Sequence, residues 1–355
     1  MSLLARYVIK AVVSYTLLVM LVLLVLNSLY LLITQQDDIG TGGYTATSAL
    51  IYVALSQPQS AFEMLPIASL IGALLALGSL ARSMELVVIR AAGVSVVRIG
   101  LWVLCGGVIL MVMTAVLGEY VAPPTERYAH EMKTFQKFQD YSMAGNRGAW
   151  AKDGERVFSV QRQSADKSYG GIYVFEFNAQ KRLVSVARAN SASIDAQNRW
   201  LLSDFRQSHF ADDHVGITRE ASTSLKTNLS AEFLGLATVK PDEMPVRGLF
   251  SYARHLKRNG LDARQVETAL WARIARTVAV AIIVVLAVPF AFGPMRSTGT
   301  GARTVVGIMI GVLFLLMARL MDSGGAIFDL PPAVVGWAPT AVLALITTIA
   351  VSRVR

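Results

Sequence analysis

Cysteine is almost missing from this chain: of 355 residues only Cys105 carries a thiol, and it lies inside an apolar run. That excludes a disulfide framework and any cysteine-based metal site. Charge is scarce as well, with Asp, Glu, Lys and Arg together at 16%. No Gly-Lys dipeptide occurs, so a GxxxxGK[ST] nucleotide loop is excluded. His130-Glu131 begins like a zinc-protease helix, but Thr134 stands where the second histidine belongs, and HExxH fails. GxSxG is absent, and no carboxylate pair sits inside an apolar run, where an intramembrane protease or a proton relay needs one. His209, Asp212, Asp213 and His214 stand close together, but in a turn-like polar stretch that reads as solvated loop. An enzyme reading has little to stand on, and no metal or cofactor is expected to be bound directly.

What the chain has is apolar sequence. Hydrophobic residues make up 54%, and mean hydropathy is +0.50, values that fit several membrane spans plus one soluble domain. The net charge of +9 is not gathered into a stripe. Its basic residues sit at the ends of apolar runs, which points to membrane topology and not to nucleic acid. Runs at 11–33, 62–80, 99–117, 270–292, 304–320 and 334–351 predict six spans. The first is too long for a signal-peptide core and is followed by no small-residue cleavage site, so it reads as an uncleaved span. Gly72, Ala76 and Ser79 form a small-residue face on the second span, and Gly307 and Gly311 a GxxxG on the fifth, each suited to close helix packing.

Between the two blocks of spans the chain is polar. A helix is expected over 125–139, followed by short alternating runs at 156–161, 171–177, 182–188 and 199–205. Lys152-Asp153-Gly154, Tyr169-Gly170-Gly171 and the 195–198 segment separate them as turns, a pattern that predicts an antiparallel sandwich or barrel-like domain. The fold class is thus an α-helical membrane protein of three plus three spans with an inserted antiparallel β domain. Residues 1–124 hold the first three spans, 125–248 the β domain with its leading helix, and 249–355 a connecting helix and the last three spans.

With a cytoplasmic N-terminus, the short inner loops receive Arg6, Lys10, Arg82, Arg90, Arg98, Arg296, Arg303, Arg353 and Arg355, with Glu85 the one acid nearby. The outer short loops carry Asp37, Asp38, Glu63, Asp322 and Asp329. By the positive-inside rule both termini are cytoplasmic and the β domain is extracytoplasmic.

Two stretches carry candidate function. In the loop after the second span, Ser83 reads as an N-cap and Gly93 as a stop, bracketing a short amphipathic helix over 83–93. Leu86, Val87 and Ile89 are apolar within it, and Arg82, Glu85 and Arg90 charged. Such a helix lies along the membrane face and presents side chains to a soluble partner, as a permease driven by a separate ATPase requires. The alternative is an ordinary helical hairpin with charged ends, and composition leaves both open. At the outer face, positive charge collects on the side where the rule disfavours it. Arg273 and Arg276 end the fourth span, Arg319 ends the fifth, and Arg127, His130, Lys133 and Lys137 lie on the helix above the third. His130, Lys133 and Lys137 share one helical face. These charges suit the phosphates of a lipid being lifted out; the alternative is snorkelling to ordinary head groups, with Arg127–Glu131 pairing.

With these residues in view, the chain resembles the LptF/LptG family of lipopolysaccharide-export permeases, the LptG branch more closely. The resemblance rests on Glu85-Leu86-Val87-Val88 with Arg90-Ala91-Ala92-Gly93, and on Gly118-Glu119-Tyr120-Val121-Ala122-Pro123. Trp150-Ala151-Lys152-Asp153-Gly154, Lys226-Thr227-Asn228-Leu229 and Phe292-Gly293-Pro294-Met295-Arg296-Ser297 continue it in order along the chain. It implies a Gram-negative inner-membrane subunit with a periplasmic β-jellyroll. It also implies an LptF-like partner permease, an LptB-like ATPase dimer that hydrolyses ATP with Mg, and transfer of lipopolysaccharide to LptC and LptA. The 83–93 segment resembles the family's coupling helix, with Glu85 at its acidic contact position, and His130 and Lys133 match basic positions tied to the substrate head group. Relatives carry lysines just after the first span, whereas this chain has Gln35-Gln36-Asp37-Asp38. Two other classes stay open: a permease of another lipid or lipoprotein exporter, and a non-transport membrane scaffold.

Overall fold

The computed structural model describes residues 2–138, 149–163, 169–178, 180–194, 199–210, 214–227, 241–292, 300–324 and 330–353. Helix α1 (Leu3–Thr34) opens on Ser2, whose hydroxyl accepts the Ala5 N–H at 3.3 Å. Helix α2 (Ala46–Arg82) opens on Thr45, capping Ser48 N in the same way. The expected second span is only the inner half of α2. The apolar positions before it continue in helical phase, so both stretches form one helix of 37 residues that carries Pro58 and Pro66 inside it. At 1.5 Å per residue it is about 55 Å long and must project beyond a bilayer core of about 30 Å.

Helix α3 (Glu85–Ala91) turns the chain, and α4 (Val96–Val116), capped by Ser95, returns it through the membrane. A π-helical turn at Leu117–Val121 joins α4 to α5 (Ala122–Phe138), making one column that rises out of the span. After the β domain come α6 (Val246–Arg258), α7 (Arg264–Val285), α8 (Ala287–Phe292), α9 (Thr300–Gly324) and α10 (Pro332–Ser352). Among the described residues five helices are long and apolar enough to cross a membrane, where six spans are expected. The remaining candidate lies in α9, whose apolar stretch Ile308–Met321 is shorter. The Gly293-Pro294-Met295-Arg296-Ser297 motif lies outside the described residues, as do Asp212, Asp213, Asn228 and Leu229.

Small residues let these helices touch. A Cβ on Gly72 would stand 2.4 Å from Thr16 Cα, one on Gly107 3.0 Å from the Ala281 carbonyl oxygen, and one on Gly336 2.6 Å from Ala272 N. Helix α2 runs through the middle of this packing; its partners bury Leu70, Leu74, Leu77 and Leu80 with Ile99, Val103 and Leu110 of α4 and Val280, Ile283 and Val284 of α7. Helix α1 contributes one stripe (Val8, Val12, Val19, Met20) and leaves most of its apolar surface uncovered.

The β domain departs from the expected sandwich. Its described strands are β1 (Ala149–Asp153), β2 (Arg156–Gln163), β3 (Tyr169–Phe177), β4 (Leu183–Ile194), β5 (Arg199–Phe210) and β6 (Val215–Lys226). They make one antiparallel sheet in sequence order, open at β1 and β6. A closed jellyroll of two facing sheets is not what these strands form. The sheet instead curls over its own inner face. Phe158 on β2 and Trp200 on β5 have ring centroids 5.5 Å apart, and Tyr169 on β3 stacks on Trp200 at 5.7 Å. In a flat sheet β2 and β5 would lie about 14 Å apart, three strand spacings. The curl has a local origin. The strand registers pass over the pairs Gln161–Gly171, Gly171–Asn190, Asn190–Asp204 and Asp204–Ala221, so one crease runs across five strands. Gly171 (φ +62°) and Asp204 (φ +51°) adopt left-handed backbone there, and Asn190 donates to Asp204 Oδ2 at 2.7 Å. Buried positions change parity across it, from Ala189 to Ala192 and from Leu202 to Phe205, while the pairing register stays the same on both sides, so the crease bends the strands without a bulge.

Helix α6 fastens this sheet to the membrane helices. Asn259 Oδ1 accepts the Gly154 N–H at 2.9 Å, Lys152 donates to the Asn259 carbonyl at 3.4 Å, and His255 meets the Lys152 carbonyl at 3.2 Å. Thr227 closes the same turn by donating to Asp153 at 2.6 Å. The Lys152-Asp153-Gly154 motif is therefore a joint between domains.

Candidate functional site

The short loop helix exists, with a different cap. Ser83 ends α2 and does not start α3, because Met84 takes a left-handed conformation (φ 59°) that separates the two helices. The Ser83 hydroxyl bonds the Ser79 and Leu80 carbonyls and donates to Glu85 Oε1 at 2.7 Å. The far end is as expected. Gly93 at φ +85° donates its N–H to the Arg90 carbonyl at 2.9 Å and Val94 reaches the Ile89 carbonyl at 3.4 Å, a Schellman closure that stops the helix.

The orientation of α3 divides its side chains. Leu86 and Ile89, 2% and 5% exposed, plug into the core beside α2 and α4. Met84, Val87 and Val88, 64%, 58% and 67% exposed, point outward beside the exposed Arg82 and Arg90. Arg90 also lies over the Phe292 ring at 5.9 Å. The Ser83 hydroxyl first, and the Tyr7 phenol second, hold the Glu85 carboxyl below the usual carboxylate range, so it is anionic at neutral pH. The sequence pattern marks Leu86 and Ile89 with the charged residues; it does not reveal that Met84 and Val88 make the outer apolar surface. Only the side on which a two-turn helix packs decides that.

At the opposite end of the membrane the expected cations separate into three settings. His130, Lys133 and Lys137 come together on α5, against the outer half of α2 and the turn after α1. Lys133 pairs with Asp38 Oδ2 at 2.7 Å and Lys137 with Asp38 Oδ1 at 2.5 Å. Lys133 also donates to Gln35 Oε1 at 2.6 Å and lies over the Tyr52 ring at 5.0 Å. His130 Nε2 is 3.2 Å from Glu126 and 3.9 Å from Glu243, with its ring edge-on to Tyr52. Arg127 is exposed and stands outside these pairs. The acidic turn after α1 thus supplies a counter-ion to the two lysines of α5. The link joins residues about a hundred positions apart, and the sequence carries no local signal for it.

Arg273 is in a second setting. It is 5% exposed, donates to the Asp242 carbonyl at 2.8 Å and the Gly118 carbonyl at 2.6 Å, and covers the Phe62 ring at 4.3 Å. Its hydrogen bonds tie α7 to the π-helical turn and to the start of the connecting segment. Arg276 and Arg319 occupy the third setting, a cavity of about 430 Å³ shared with Glu63, Asp242, Phe62 and Pro66. Among the described residues no group of three or more His, Cys, Asp or Glu side chains is placed to hold a metal ion.

The chain's similarities agree with this geometry. Residues 6–353 match the family model described as lipopolysaccharide export system permease LptF/LptG. The lipopolysaccharide export system permease protein LptG of Escherichia coli K12 is 31% identical over 344 residues, covering 96% of each chain. The LptG protein of Haemophilus influenzae is 30% identical over 327 residues, covering 92% of this chain and 91% of its own. A match that runs through the spans, the α3 loop and the β insert alike assigns the whole architecture at once: the chain belongs to the lipopolysaccharide export system permease LptF/LptG family.

Proposed function

We propose that this chain is the LptG-type permease subunit of an ABC transporter that extracts lipopolysaccharide from the Gram-negative inner membrane. ATP is hydrolysed, with Mg as cofactor, by a partner, an LptB-like dimer docked at α3. An LptF-like permease completes the membrane unit, and LptC and LptA receive the lipid. In this reading the termini are cytoplasmic, α9 completes a set of six spans, and the curled sheet closes with further segments into a periplasmic jellyroll.

The observation that carries the reading is the two-sided packing of α3. Leu86 and Ile89 are keyed into the packing of α2 and α4, while Met84, Val87, Val88 and the anionic Glu85 are presented outward. Force applied to the outer side is thereby delivered to the two spans that α3 connects. A hairpin with merely charged ends would leave no exposed apolar surface there.

The substrate path follows from uncovered surface. Helix α1 exposes Leu18, Leu21, Val25, Leu26 and Leu29, and α9 exposes Met309, Leu313, Leu316 and Leu320, faces that a partner permease and the acyl chains would share. Lipid phosphates arriving at the outer ends of these spans meet His130, Lys133 and Lys137, and exchange with Asp38 as their counter-ion. Arg127, Arg276 and Arg319 extend the positive surface, and Arg273 holds the shape of the junction. ATP-driven closure of the ATPase dimer presses on α3, tilts α2 and α4, and collapses the cavity so that the acyl chains move to the sheet's apolar inner face.

Native mass spectrometry of the chain co-expressed with its candidate ATPase and partner permease tests the assignment. A complex with two ATPase copies, one partner permease and bound lipopolysaccharide is expected. A lone chain carrying only phospholipid would overturn it in favour of a membrane scaffold.

A further inference from the structure

A second lipid-sized feature lies away from α1 and α9. Along the seam where α4 meets α7, an apolar groove with a volume of about 430 Å³ is walled by Met111, Val112 and Val116 on one side and Ile274 and Val278 on the other. It opens outward, since Val112 and Val116 are exposed. From Met111 to Tyr120 it follows about 13 Å of helix axis, at 1.5 Å per residue.

The outer end of the groove is polar in a defined way. Glu119, in the π-helical turn, accepts the Val246 N–H at 2.8 Å and the Arg247 N–H at 3.3 Å, and so holds the first turn of α6 over the groove. Tyr120 and Val246 line that end. Arg247 donates to the Tyr120 hydroxyl at 3.0 Å, lies over its ring at 5.6 Å and stands 3.7 Å from Glu119 Oε1, yet its side chain remains 78% exposed. Arg273 backs the same end from inside, so two guanidinium groups face one carboxylate that is already engaged with backbone donors. Further along α6 the outward stripe continues with Phe250, Arg254, Lys257 and Arg258, Arg254 lying over the Phe250 ring at 4.5 Å. Lys257 is paired with Glu267 of α7, which leaves Arg254 and Arg258 as the stripe's cations, while the opposite face of α6, Leu249 and Ala253, is buried against α7.

We propose that the α4–α7 seam is a binding site for one anionic phospholipid of the extracytoplasmic leaflet. One acyl chain lies in the groove, the phosphate sits between Arg247 and the Tyr120 hydroxyl, and the cationic stripe of α6 leans over the neighbouring head groups. An apolar slot and a cationic head-group cradle at the same end meet the two demands of a phospholipid at once. A neutral apolar ligand would have no use for the exposed guanidinium, and a free phosphate none for the groove. The site is distinct from the α5 cluster and does not depend on the transport reading.

The test is native mass spectrometry of the full-length chain, delipidated in mild detergent and titrated with dioleoylphosphatidylglycerol, dioleoylphosphatidylethanolamine or lipopolysaccharide. One phosphatidylglycerol is expected to be retained per chain, more tightly than phosphatidylethanolamine. Arg247→Gln should weaken it about tenfold, the scale of one charge-assisted contact, and Ala115→Trp, which fills the groove from its open side, should remove it. Arg247 also contacts Tyr120 and Glu119, so the melting temperature of its variant is measured alongside, and a loss of phosphatidylglycerol at unchanged stability is the result expected. Equal retention of both phospholipids, indifference to Arg247→Gln, or displacement of the adduct by one equivalent of lipopolysaccharide would overturn the proposal.

Discussion

The carboxylate of Asp38 bridges Lys133 and Lys137, 2.7 and 2.5 Å away, and so neutralises half of the charge that the two lysines bring to the outer face. An incoming phosphate must compete with it. Replacing Asp38 by Asn keeps the size of the side chain and removes the competitor. Binding of a diphosphorylated lipid A to the complex is expected to tighten by about fivefold, the scale of a partly exposed ion pair. The gain should shrink as salt rises, because these groups are within reach of solvent. Titration of the Asp38→Asn complex at low and high salt measures both, and weaker binding in the variant would show that Asp38 serves to order the lysines.

The division of α3 predicts a contrast between neighbours. Glu85→Lys reverses the charge on the side of α3 where the ATPase is proposed to dock, and Val88→Asp breaks the outer apolar surface. Both should leave the chain folded and stably inserted while lipid-stimulated ATP hydrolysis and export fall together. Leu86→Ala removes a buried side chain and should instead lower thermal stability, by about 2–4 kcal/mol. Normal export with Glu85→Lys would show that coupling runs elsewhere.

How far sequence reaches can be seen at these same residues. The spans were legible because a bilayer imposes a length and a composition on one contiguous run. The short helix α3 was legible from its charged ends and from Gly93. Its cap was not, since Ser83 is equally suited to end one helix or begin the next, and Met84 gave no sign of its left-handed backbone. The cationic face of α5 followed from spacing, whereas Asp38 as its partner is a tertiary fact. Alternating runs announced the strands, but whether a meander closes into two sheets or curls as one depends on bends lining up across strands far apart in sequence.

Close helix packing at Gly72 gives a prediction of stability. A Cβ there would meet the Thr16 backbone, which cannot move aside as the end of a side chain can. Gly72→Leu must therefore separate α1 from α2. A loss of about 1–3 kcal/mol is expected from overpacking, with a lower melting temperature in detergent. Gly100→Ala, where nothing lies within 4 Å of the added methyl, is the control and should be neutral.

The crease in the β sheet predicts how its inner face is kept. Gly171 sits at φ +62°, and an added Cβ would also stand 2.8 Å from the Gln161 side-chain oxygen. Gln161 can swing away, so the lasting cost of Gly171→Ala is the left-handed backbone, about 1–2 kcal/mol for a residue with a side chain. Gly171→Val adds β-branching and should cost more. Either change favours an uncreased β3, and a flatter sheet would draw Phe158 and Tyr169 away from Trp200, which is now fully buried against β2 and β3, neither of them a neighbour of its own strand β5. Trp200 fluorescence should then shift to the red and become accessible to a soluble quencher, read in a variant whose other four tryptophans are replaced by Phe. Asp204→Gly on the same crease should not expose Trp200, because glycine accepts the left-handed conformation at no cost. It loses the Asn190 contact and the Arg206 ion pair, both at the solvent-facing side of the sheet. A red shift in Asp204→Gly alone would mean that the side-chain contacts of Asp204, and not the backbone at Gly171, hold the curl.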